Sequence, residues 1–178
     1  ISREPGCEKD LVCKDLTQGP FITIDGADAR DFDDAVHCVS DGDDFLLDVA
    51  IADVSRFVRS DSALDQVARE RGNSAYFPDR VIPMLPELLS NDLCSLRPGQ
   101  MRWVFVCQIR VSSSGEIADY KFCEGRIRSA ARLTYEDASA FLCNPNGGHP
   151  RLSTVVQENL KMLEKVATAL GGHRRDRG

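Results

Sequence analysis

Apolar residues along this chain occur in short blocks separated by polar turns, a pattern typical of β-strands. Five segments have the length and apolar content of strands: 21–24, 35–39, 45–52, 103–111 and 117–132. The polar segment at 40–44 predicts a hairpin between two of them, and 112–115 predicts a turn between the two longest. The pattern therefore predicts a sheet built mainly from neighbouring antiparallel strands.

Helical spacing of apolar residues occurs between and after these strands. Four segments are predicted to be helical: a piece near 7–16, 62–71 ended by Gly72, a capped start at 134–137, and 155–170. Between them, 76–86 contains three prolines and predicts a loop that leads into a short helix through Leu88 and Leu89. The apolar stripe of the last helix is expected to lack a later element that covers it.

Together the elements predict an α/β (α+β) fold with a largely antiparallel sheet packed with helices. A chain of 178 residues forms one domain or part of a larger one. We expect residues 1–20 to be a lead-in segment and 21–178 to form the domain. The chain starts at Ile1 and ends in a basic segment, so we expect the domain to be truncated at its C-terminus.

Composition narrows the class of protein. The chain is 42% hydrophobic and 28% charged, which is ordinary for a globular protein and excludes disorder. It has no apolar run of about 20 residues and no signal-peptide pattern, so no membrane association is expected. Its seven cysteines are an odd set without a CxxC pair, which predicts reduced thiols in a cytoplasmic protein.

The net charge of −6 is distributed unevenly. Between Asp25 and Asp53 there are ten Asp residues and one basic residue, Arg30, which gives that segment a charge of −9. The rest of the chain carries 21 basic and 18 acidic residues and is mildly basic. Acids this closely spaced repel one another, and a bound cation is the natural relief.

Carboxylates at Asp25, Asp31, Asp33 and Asp34 can converge only if the backbone reverses between them. In an extended chain, residues 25 and 31 would be about 20 Å apart. Gly26 permits a tight reversal, and the strands before and after would hold the loop in place. In a regular strand Asp33 and Asp34 would point to opposite faces, so an irregular loop is expected here.

Four hard oxygen donors suit Mg²⁺, with Mn²⁺ as a possible substitute, rather than zinc. They exceed the one or two carboxylates of a simple Mg²⁺ site and favour a two-metal site of about 3.5–4 Å separation shared with a phosphate. A structural calcium site and a solvated acidic turn remain as alternatives, although the EF-hand pattern is absent. The three histidines form no plausible catalytic triad.

The segment TIDGADARDFDDA (23–35) resembles the signature of the bacterial ribonuclease II / ribonuclease R family, in its RNB catalytic domain. Further blocks follow in the family's order: VAIADVS (49–55), YFPDRVIPMLP (76–86), LSNDLCSL (89–96) and ARLTY (131–135). The resemblance extends from about Asp15 to the C-terminus and is closer to ribonuclease R than to ribonuclease II.

This resemblance implies a processive, Mg²⁺-dependent 3′→5′ exoribonuclease that hydrolyses RNA to 5′-nucleoside monophosphates. It implies that Asp25, Asp31, Asp33 and Asp34 are the catalytic metal ligands, whereas Asp28 only supports the loop. It also implies RNA contacts at Tyr76 and Tyr135, which position alone would assign to the core and to packing at a helix start. The substrate would be the 3′ end of single-stranded RNA.

The resemblance also indicates what lies outside this chain. In the family, the later half of the catalytic domain supplies an Arg, a Glu and a base-stacking aromatic, and cold-shock and S1 RNA-binding domains flank it. The present chain corresponds to the N-terminal half of the domain and is expected to be inactive alone. The alternatives are a non-catalytic RNA-binding regulator derived from this fold, and an unrelated metal-binding structural domain.

Basic residues between 97 and 132 suggest one further RNA contact. Arg126, Arg128 and Arg132 have the same strand parity and would share a face of a regular strand. They could line a channel for RNA phosphates. An exposed strand face without function is the alternative.

Overall fold

A computed structural model describes residues 13–144 and 152–178, and a seven-stranded mixed sheet forms its centre. The strands, in the order β1-β8-β7-β4-β3-β2-β9 across the sheet, are β1 (Lys14–Asp15), β2 (Ile22–Asp25), β3 (Asp34–Asp41), β4 (Asp44–Ala52), β7 (Met101–Val111), β8 (Ile117–Arg128) and β9 (Ala131–Thr134). The pairs β1–β8 and β2–β9 are parallel and the others antiparallel. The predicted, largely antiparallel sheet is confirmed.

The sheet is curled, because β8 and β9 are consecutive in the chain yet lie five strands apart in the sheet order. Only Ser129 and Ala130 connect them, and such a link spans roughly 11 Å at most. Five strand spacings in a flat sheet would require about 24 Å. The two ends of the sheet therefore approach each other, and the Ala130 amide donates to the Phe21 carbonyl at 2.7 Å.

The inner face of the curled sheet is packed, and the outer face is packed in part. The inner face carries small and medium side chains such as Ala35, Ala50 and Val106, together with Leu89 and Leu96 from the segment before β7. On the outer face, α2 (Tyr135–Cys143) and α3 (Thr154–Asp176) cover the part of the sheet around β2, β3, β4 and β9, whereas Phe105 and Phe122 of β7 and β8 are exposed. Gly115 fits the β7–β8 turn at a φ of +84°, and a Cβ there would collide with the Ala169 carbonyl of α3.

The helices begin and end as local sequence chemistry dictates. In α1 (Ala63–Arg71), the Ser62 side chain accepts from the Asp65 amide and Gly72 ends the helix at a φ of +75°. Thr134 and Asp137 form a reciprocal capping box at the start of α2. The short helix predicted after the prolines is a π-helix at Leu89–Leu93.

Four expectations need correction. The long strand predicted over 117–132 breaks at Ser129, so Arg132 lies on a different strand from Arg126 and Arg128 and the three share no regular face. The helix predicted near 7–16 is wrong at Lys14–Asp15, which pair with β8, and its first residues lie outside the described part of the chain. The loop predicted at 76–86 contains part of a hairpin, formed by β5 (Ala75–Tyr76) and β6 (Val81–Ile82).

The fourth correction concerns α3. Its apolar stripe is covered by the outer face of the sheet, and Val156, Leu160 and Val166 are fully buried there. Sequence periodicity located the stripe correctly but could not show that earlier strands supply its cover.

Within the described residues, no helix is long and apolar enough to cross a membrane. The described cysteines are free thiols, as expected: Cys13, Cys38, Cys94, Cys107, Cys123 and Cys143. Burial raises the pKa of Cys38 and of Cys94 to about 11, so these two thiols stay protonated at neutral pH.

Candidate metal and RNA site

The site is built on the loop from Asp25 to Asp34, here called the aspartate loop, which connects β2 to β3. Asp25 is the last residue of β2 and Asp34 the first of β3. Between them the chain leaves the sheet and turns back, with the Ala29 amide donating to the Gly26 carbonyl at 3.1 Å. The backbone reversal predicted from the sequence is confirmed.

Neighbouring segments hold the backbone of the loop at several points. The buried Ser95 hydroxyl donates to the Arg30 carbonyl at 3.1 Å and accepts from the Phe32 amide at 3.2 Å. The Leu96 amide donates to the Phe32 carbonyl at 2.7 Å. On the other side, the Ala52 amide of β4 donates to the Asp33 carbonyl at 2.8 Å, so the second half of the loop is fixed against the sheet.

Arg132 of β9 ties down the first half of the loop. Its Nη2 atom donates to the carbonyls of Gly26 and Ala27 at 2.9 and 2.8 Å. The guanidinium also lies over the Phe32 ring, 5.3 Å from its centroid. Arg132 therefore contacts the loop both near its start, at Gly26 and Ala27, and near its end, at Phe32.

The carboxylates of the loop repel one another. Burial raises the pKa of Asp25, and the charges of Asp34 and Asp33 raise it further, while the positive charge of Arg132 acts in the opposite direction. Partial desolvation and the charge of Asp33 likewise raise the pKa of Asp34. Each of these acids is therefore harder to ionise in the folded protein than in water, and a cation would relieve both.

Asp31 is partnered by Tyr76, whose hydroxyl donates to Asp31 Oδ2 at 3.1 Å. Partial desolvation and the Asp31 charge raise the pKa of the Tyr76 phenol, so it remains a donor at neutral pH. The contact brings the β5–β6 hairpin over the aspartate loop. Between the two lies a cavity of about 760 Å³, lined by Asp25, Asp28, Ala29, Arg30, Asp31, Asp33, Ser74, Tyr76, Asp79, Arg80, Val81, Pro83, Glu87, Ser90 and Asn91.

Neither candidate RNA-contacting tyrosine is a core residue. Tyr76 is 67% exposed and its ring borders the cavity. Tyr135 is 63% exposed at the first position of α2, directly after Thr134, which pairs with Asp25 across β2 and β9. Tyr135 does not line the cavity itself. Both rings are available to a ligand, and position alone had favoured packing for each.

The four aspartates are only partly brought together. Asp25, Asp33 and Asp34 lie close enough to influence one another's ionisation, whereas Asp31 is engaged by Tyr76. In the part of the chain that the structure describes, no three metal-ligating side chains are arranged to hold an ion. The donor chemistry nevertheless fits a divalent cation: the oxygens are hard, the acids repel one another, and Asp25 Oδ2 is buried without a hydrogen-bond partner.

Two residues shape the site in ways that the sequence did not predict: Ser95 was not singled out, and Arg132 was considered only as a contact for RNA phosphates. Both lie in blocks that carry the family resemblance, 89–96 and 131–135, but neither is a metal ligand or an aromatic. Their role depends on hydrogen bonds to backbone carbonyls, which leave no signature in residue spacing. Asp53, in contrast, is structural: it accepts from the Ser55 hydroxyl at 2.5 Å and from Arg56 Nε at 2.8 Å.

Fold and site together define a domain with an acidic loop beside a cavity that Tyr76 borders. The model of the RNB domain matches residues 13–178. The chain therefore belongs to the RNB domain family.

Its relatives include enzymes named ribonuclease R. The chain is 51% identical over 155 residues to ribonuclease R of Vibrio parahaemolyticus, covering 85% of the chain and 19% of the relative. It is 47% identical over 165 residues to ribonuclease R of Escherichia coli, covering 92% of the chain and 20% of the relative. The chain thus spans about a fifth of the length of these curated relatives.

A solved structure, Mycoplasma genitalium RNase R in complex with double-stranded RNA, matches with a TM-score of 0.88 at 35% identity. The match covers 93% of this chain and 29% of that one. The expected fold is therefore confirmed.

Proposed function

We propose that this chain is the N-terminal part, residues 21–178 after a lead-in, of the catalytic domain of a 3′→5′ exoribonuclease that hydrolyses RNA processively. The observation that carries the proposal is the aspartate loop in a chain of the RNB family: its acids repel one another, and Asp25, Asp31 and Asp33 line the cavity beside it. Matches to proteins named ribonuclease R support the same reaction class.

Asp25, Asp31, Asp33 and Asp34 would hold Mg²⁺, with Mn²⁺ as a substitute. Bound divalent ions would supply an activated water and stabilise negative charge on the phosphate and the leaving oxygen. The chain's own contribution is to keep hard oxygen donors on a loop pinned by Ser95 and Arg132. No nucleophilic side chain is needed for such hydrolysis, and the products would be 5′-nucleoside monophosphates.

Tyr76 would stack on a base near the 3′ end of a single-stranded RNA. Its ring is exposed at the groove, and base–aromatic stacking is worth about 1–3 kcal/mol per base. Tyr135, exposed beside the end of β2, would contact the nucleotide held near Asp25. The remaining RNA contacts, including those of cold-shock and S1 domains, would come from other parts of a full-length cytoplasmic enzyme.

The experiment is digestion of 5′-labelled RNA by the full-length protein with Mg²⁺ and, in parallel, with EDTA. Mg²⁺-dependent conversion of full-length RNA into a short 5′-labelled end product, with few intermediates, supports the proposal. A ladder that shortens gradually from the 3′ end would indicate an exonuclease that is not processive, and discrete internal cuts would indicate an endonuclease. RNA binding without Mg²⁺-dependent degradation would instead support the alternative, a non-catalytic RNA-binding regulator. The ribonuclease names of the relatives do not favour that alternative.

A further inference from the structure

Arg132 reaches the aspartate loop because of the parallel pairing between β9 and β2. Arg132 lies opposite Thr23, two positions before Asp25, and Asp25 lies opposite Thr134. Paired residues of neighbouring strands project to the same face of the sheet. The long side chain of Arg132 can therefore run alongside Asp25 to the turn that follows it.

Arg132 makes both of its hydrogen bonds to that turn through one atom. A single nitrogen, Nη2, donates to two successive carbonyls, those of Gly26 and Ala27. Gly26, Ala27 and Asp28 are exposed, and a Cβ at Gly26 would meet nothing within 4 Å. Side-chain packing therefore does little to fix this turn. Its geometry depends on the hydrogen bond from the Ala29 amide to the Gly26 carbonyl and on the two hydrogen bonds from Arg132.

The remaining atoms of the guanidinium do not serve stability alone. Three buried polar atoms lack a hydrogen-bond partner among the described residues: Arg132 Nε, Asp25 Oδ2 and the hydroxyl oxygen of Thr23, which pairs with Arg132 across the two strands. Leaving such an atom unsatisfied costs about 1–3 kcal/mol. Asp25 and Arg132 are half-buried, and each has one buried atom without a partner, so the site is incompletely satisfied and suited to a ligand that completes it.

We infer that Arg132 is a positioning residue for the candidate metal site, which holds the Gly26–Ala27 turn so that Asp25 faces Asp33 and Asp34. This inference deepens the proposed function and rests on it for the identity of the ion. Arg132 acts through the loop backbone and through the charge it places beside Asp25, and it is not itself a metal ligand.

The test compares Arg132→Met and Arg132→Lys with a matched control, Arg174→Lys, at an exposed position in α3. Three properties of the full-length protein are measured: the dissociation constant of Mn²⁺ alone by titration calorimetry, the amide exchange rates by NMR, and kcat and KM for RNA hydrolysis. The Ala29 amide reports on the turn that Arg132 holds, and the Ala52 amide reports on the half of the loop that it does not hold.

For Arg132→Met we expect the Mn²⁺ dissociation constant to rise at least tenfold and Ala29 exchange to accelerate at least tenfold, with Ala52 unchanged. The value of kcat should fall while KM stays within threefold. Arg132→Lys keeps the charge, so its Mn²⁺ dissociation constant, Ala29 exchange rate and kcat should lie between those of Arg132→Met and wild type. The same three values for Arg174→Lys should match wild type.

Ala29 exchange and Mn²⁺ affinity that remain within threefold of wild type in Arg132→Met would overturn the inference. If that variant does not fold, Arg132→Lys decides. Wild-type Mn²⁺ affinity and Ala29 exchange in Arg132→Lys overturn the inference, and intermediate values support it. The proposed function is judged separately, by RNA digestion with the unsubstituted protein. If that digestion fails, the Ala29 exchange result still decides the role of Arg132.

Discussion

Asp25 lies where β2 ends and the aspartate loop begins, and its ionised carboxylate is destabilised in the folded state. Burial and the charges of Asp34 and Asp33 raise its pKa. Because the folded-state pKa is raised, ionisation of Asp25 costs stability at neutral pH, and this cost disappears as the pH falls through the raised pKa. The same holds for Asp34.

Asp25→Asn should therefore raise the melting temperature of the chain in EDTA at pH 7, because it removes a charge that the fold disfavours. A gain of 1 kcal/mol corresponds to about 2–4 °C in a domain of this size. The gain should shrink as the pH is lowered towards the acidic range, where wild-type Asp25 becomes protonated. Thermal unfolding of both proteins across that pH range measures the effect, and a lower melting temperature for the variant at pH 7 would contradict it.

Mg²⁺ should stabilise the wild-type chain and leave Asp25→Asn almost unaffected. A ligand that binds only the folded state at 100 times its dissociation constant adds about 2.7 kcal/mol. The comparison is a melting curve with and without Mg²⁺ for each protein, with Ca²⁺ as a second ion. An equal shift in both proteins would show that the ion binds elsewhere.

Asp34→Asn should reduce RNA hydrolysis by the full-length protein by about 10²–10³-fold while the fold persists, since the substitution removes one charged donor and little volume. Asp43→Asn is the matched control: it makes the same chemical change at an exposed acid in the β3–β4 turn, which does not line the cavity. We expect Asp43→Asn to stay within threefold of wild type. Activity of Asp34→Asn in that same range would sink the assignment.

Tyr76→Ala should weaken binding of short RNA more than of long RNA. In the proposed function, only the bases near the 3′ end occupy the cavity beside Tyr76, so a long RNA would keep its other contacts. The expected loss for a short RNA is about 1–3 kcal/mol, measured as a change in dissociation constant. Tyr76→Phe keeps the ring and loses only the hydroxyl bond to Asp31, so it should bind near wild type. Equal losses for both lengths would mean that Tyr76 is only structural.

At the scale of elements, α3 is attached to the sheet by a buried polar side chain as well as by its apolar stripe. Asn159 accepts from the Cys38 amide at 2.9 Å and donates to the carbonyls of Pro20 and Val36. It thereby satisfies backbone groups of β3 where β2 no longer pairs with that strand. One side chain links α3, β3 and the entry to β2.

Asn159→Leu should destabilise the chain by about 2–4 kcal/mol, because backbone groups of Cys38, Pro20 and Val36 lose their buried partners. Glu158→Gln, at the exposed neighbouring position, should be neutral within about 0.5 kcal/mol. Urea unfolding of both variants gives the comparison. A stability loss below 0.5 kcal/mol for Asn159→Leu would show that water replaces these bonds.

Elements with strong local signals were predictable, and those set by long-range pairing were not. The β3–β4 hairpin, the capped α1 and the Thr134 cap follow from turn and capping residues and are confirmed. The break at Ser129 is different, because the residues on both sides continue a strand-like pattern. It is imposed by curling of the sheet, which brings β9 beside β2, and such pairing across the chain has no local signature.

The candidate site shows the same division. The aspartates were singled out by their spacing, and the turn at Gly26 was expected from the residue itself. That Tyr76 bonds to Asp31 depends on a hairpin 45 residues further along the chain, and the resemblance to a family, not periodicity, pointed to this tyrosine. Ser95 and Arg132 hold the loop through hydrogen bonds to its backbone. Such bonds leave no pattern in the sequence that would single out either residue.

At the scale of the whole molecule, the curled sheet gathers elements that are distant in sequence at one site. The end of β2, the start of β3, the Ser95 segment and β9 meet around the aspartate loop. The rigid sheet thus supplies the frame, while the loop and the β5–β6 hairpin supply the chemistry. The residues that destabilise the fold, such as the mutually repelling Asp25 and Asp34, are concentrated there, as expected of a functional site.

The 178-residue chain alone should bind Mn²⁺ yet degrade RNA far more slowly than a full-length ribonuclease R. The groove is rich in acids, and its basic lining consists of Arg30 and Arg80 among the described residues. Charge that develops on the phosphate therefore has little positive partner within this part of the domain. Removing one such stabilising group typically costs about 10²–10³ in rate, and the proposed function assigns further groups of this kind to a part of the catalytic domain outside this chain.

The measurement is digestion of the same labelled RNA by this chain and by a full-length ribonuclease R at equal concentration, with Mn²⁺ binding to the chain recorded in parallel. We expect the rate to differ by at least 10²-fold while Mn²⁺ still binds the chain. Addition of the separately produced remainder of the catalytic domain should recover part of the activity, because it would supply the stabilising groups that the proposed function assigns to it. A chain that matches the full-length enzyme in rate would show that these residues already contain the complete catalytic machinery.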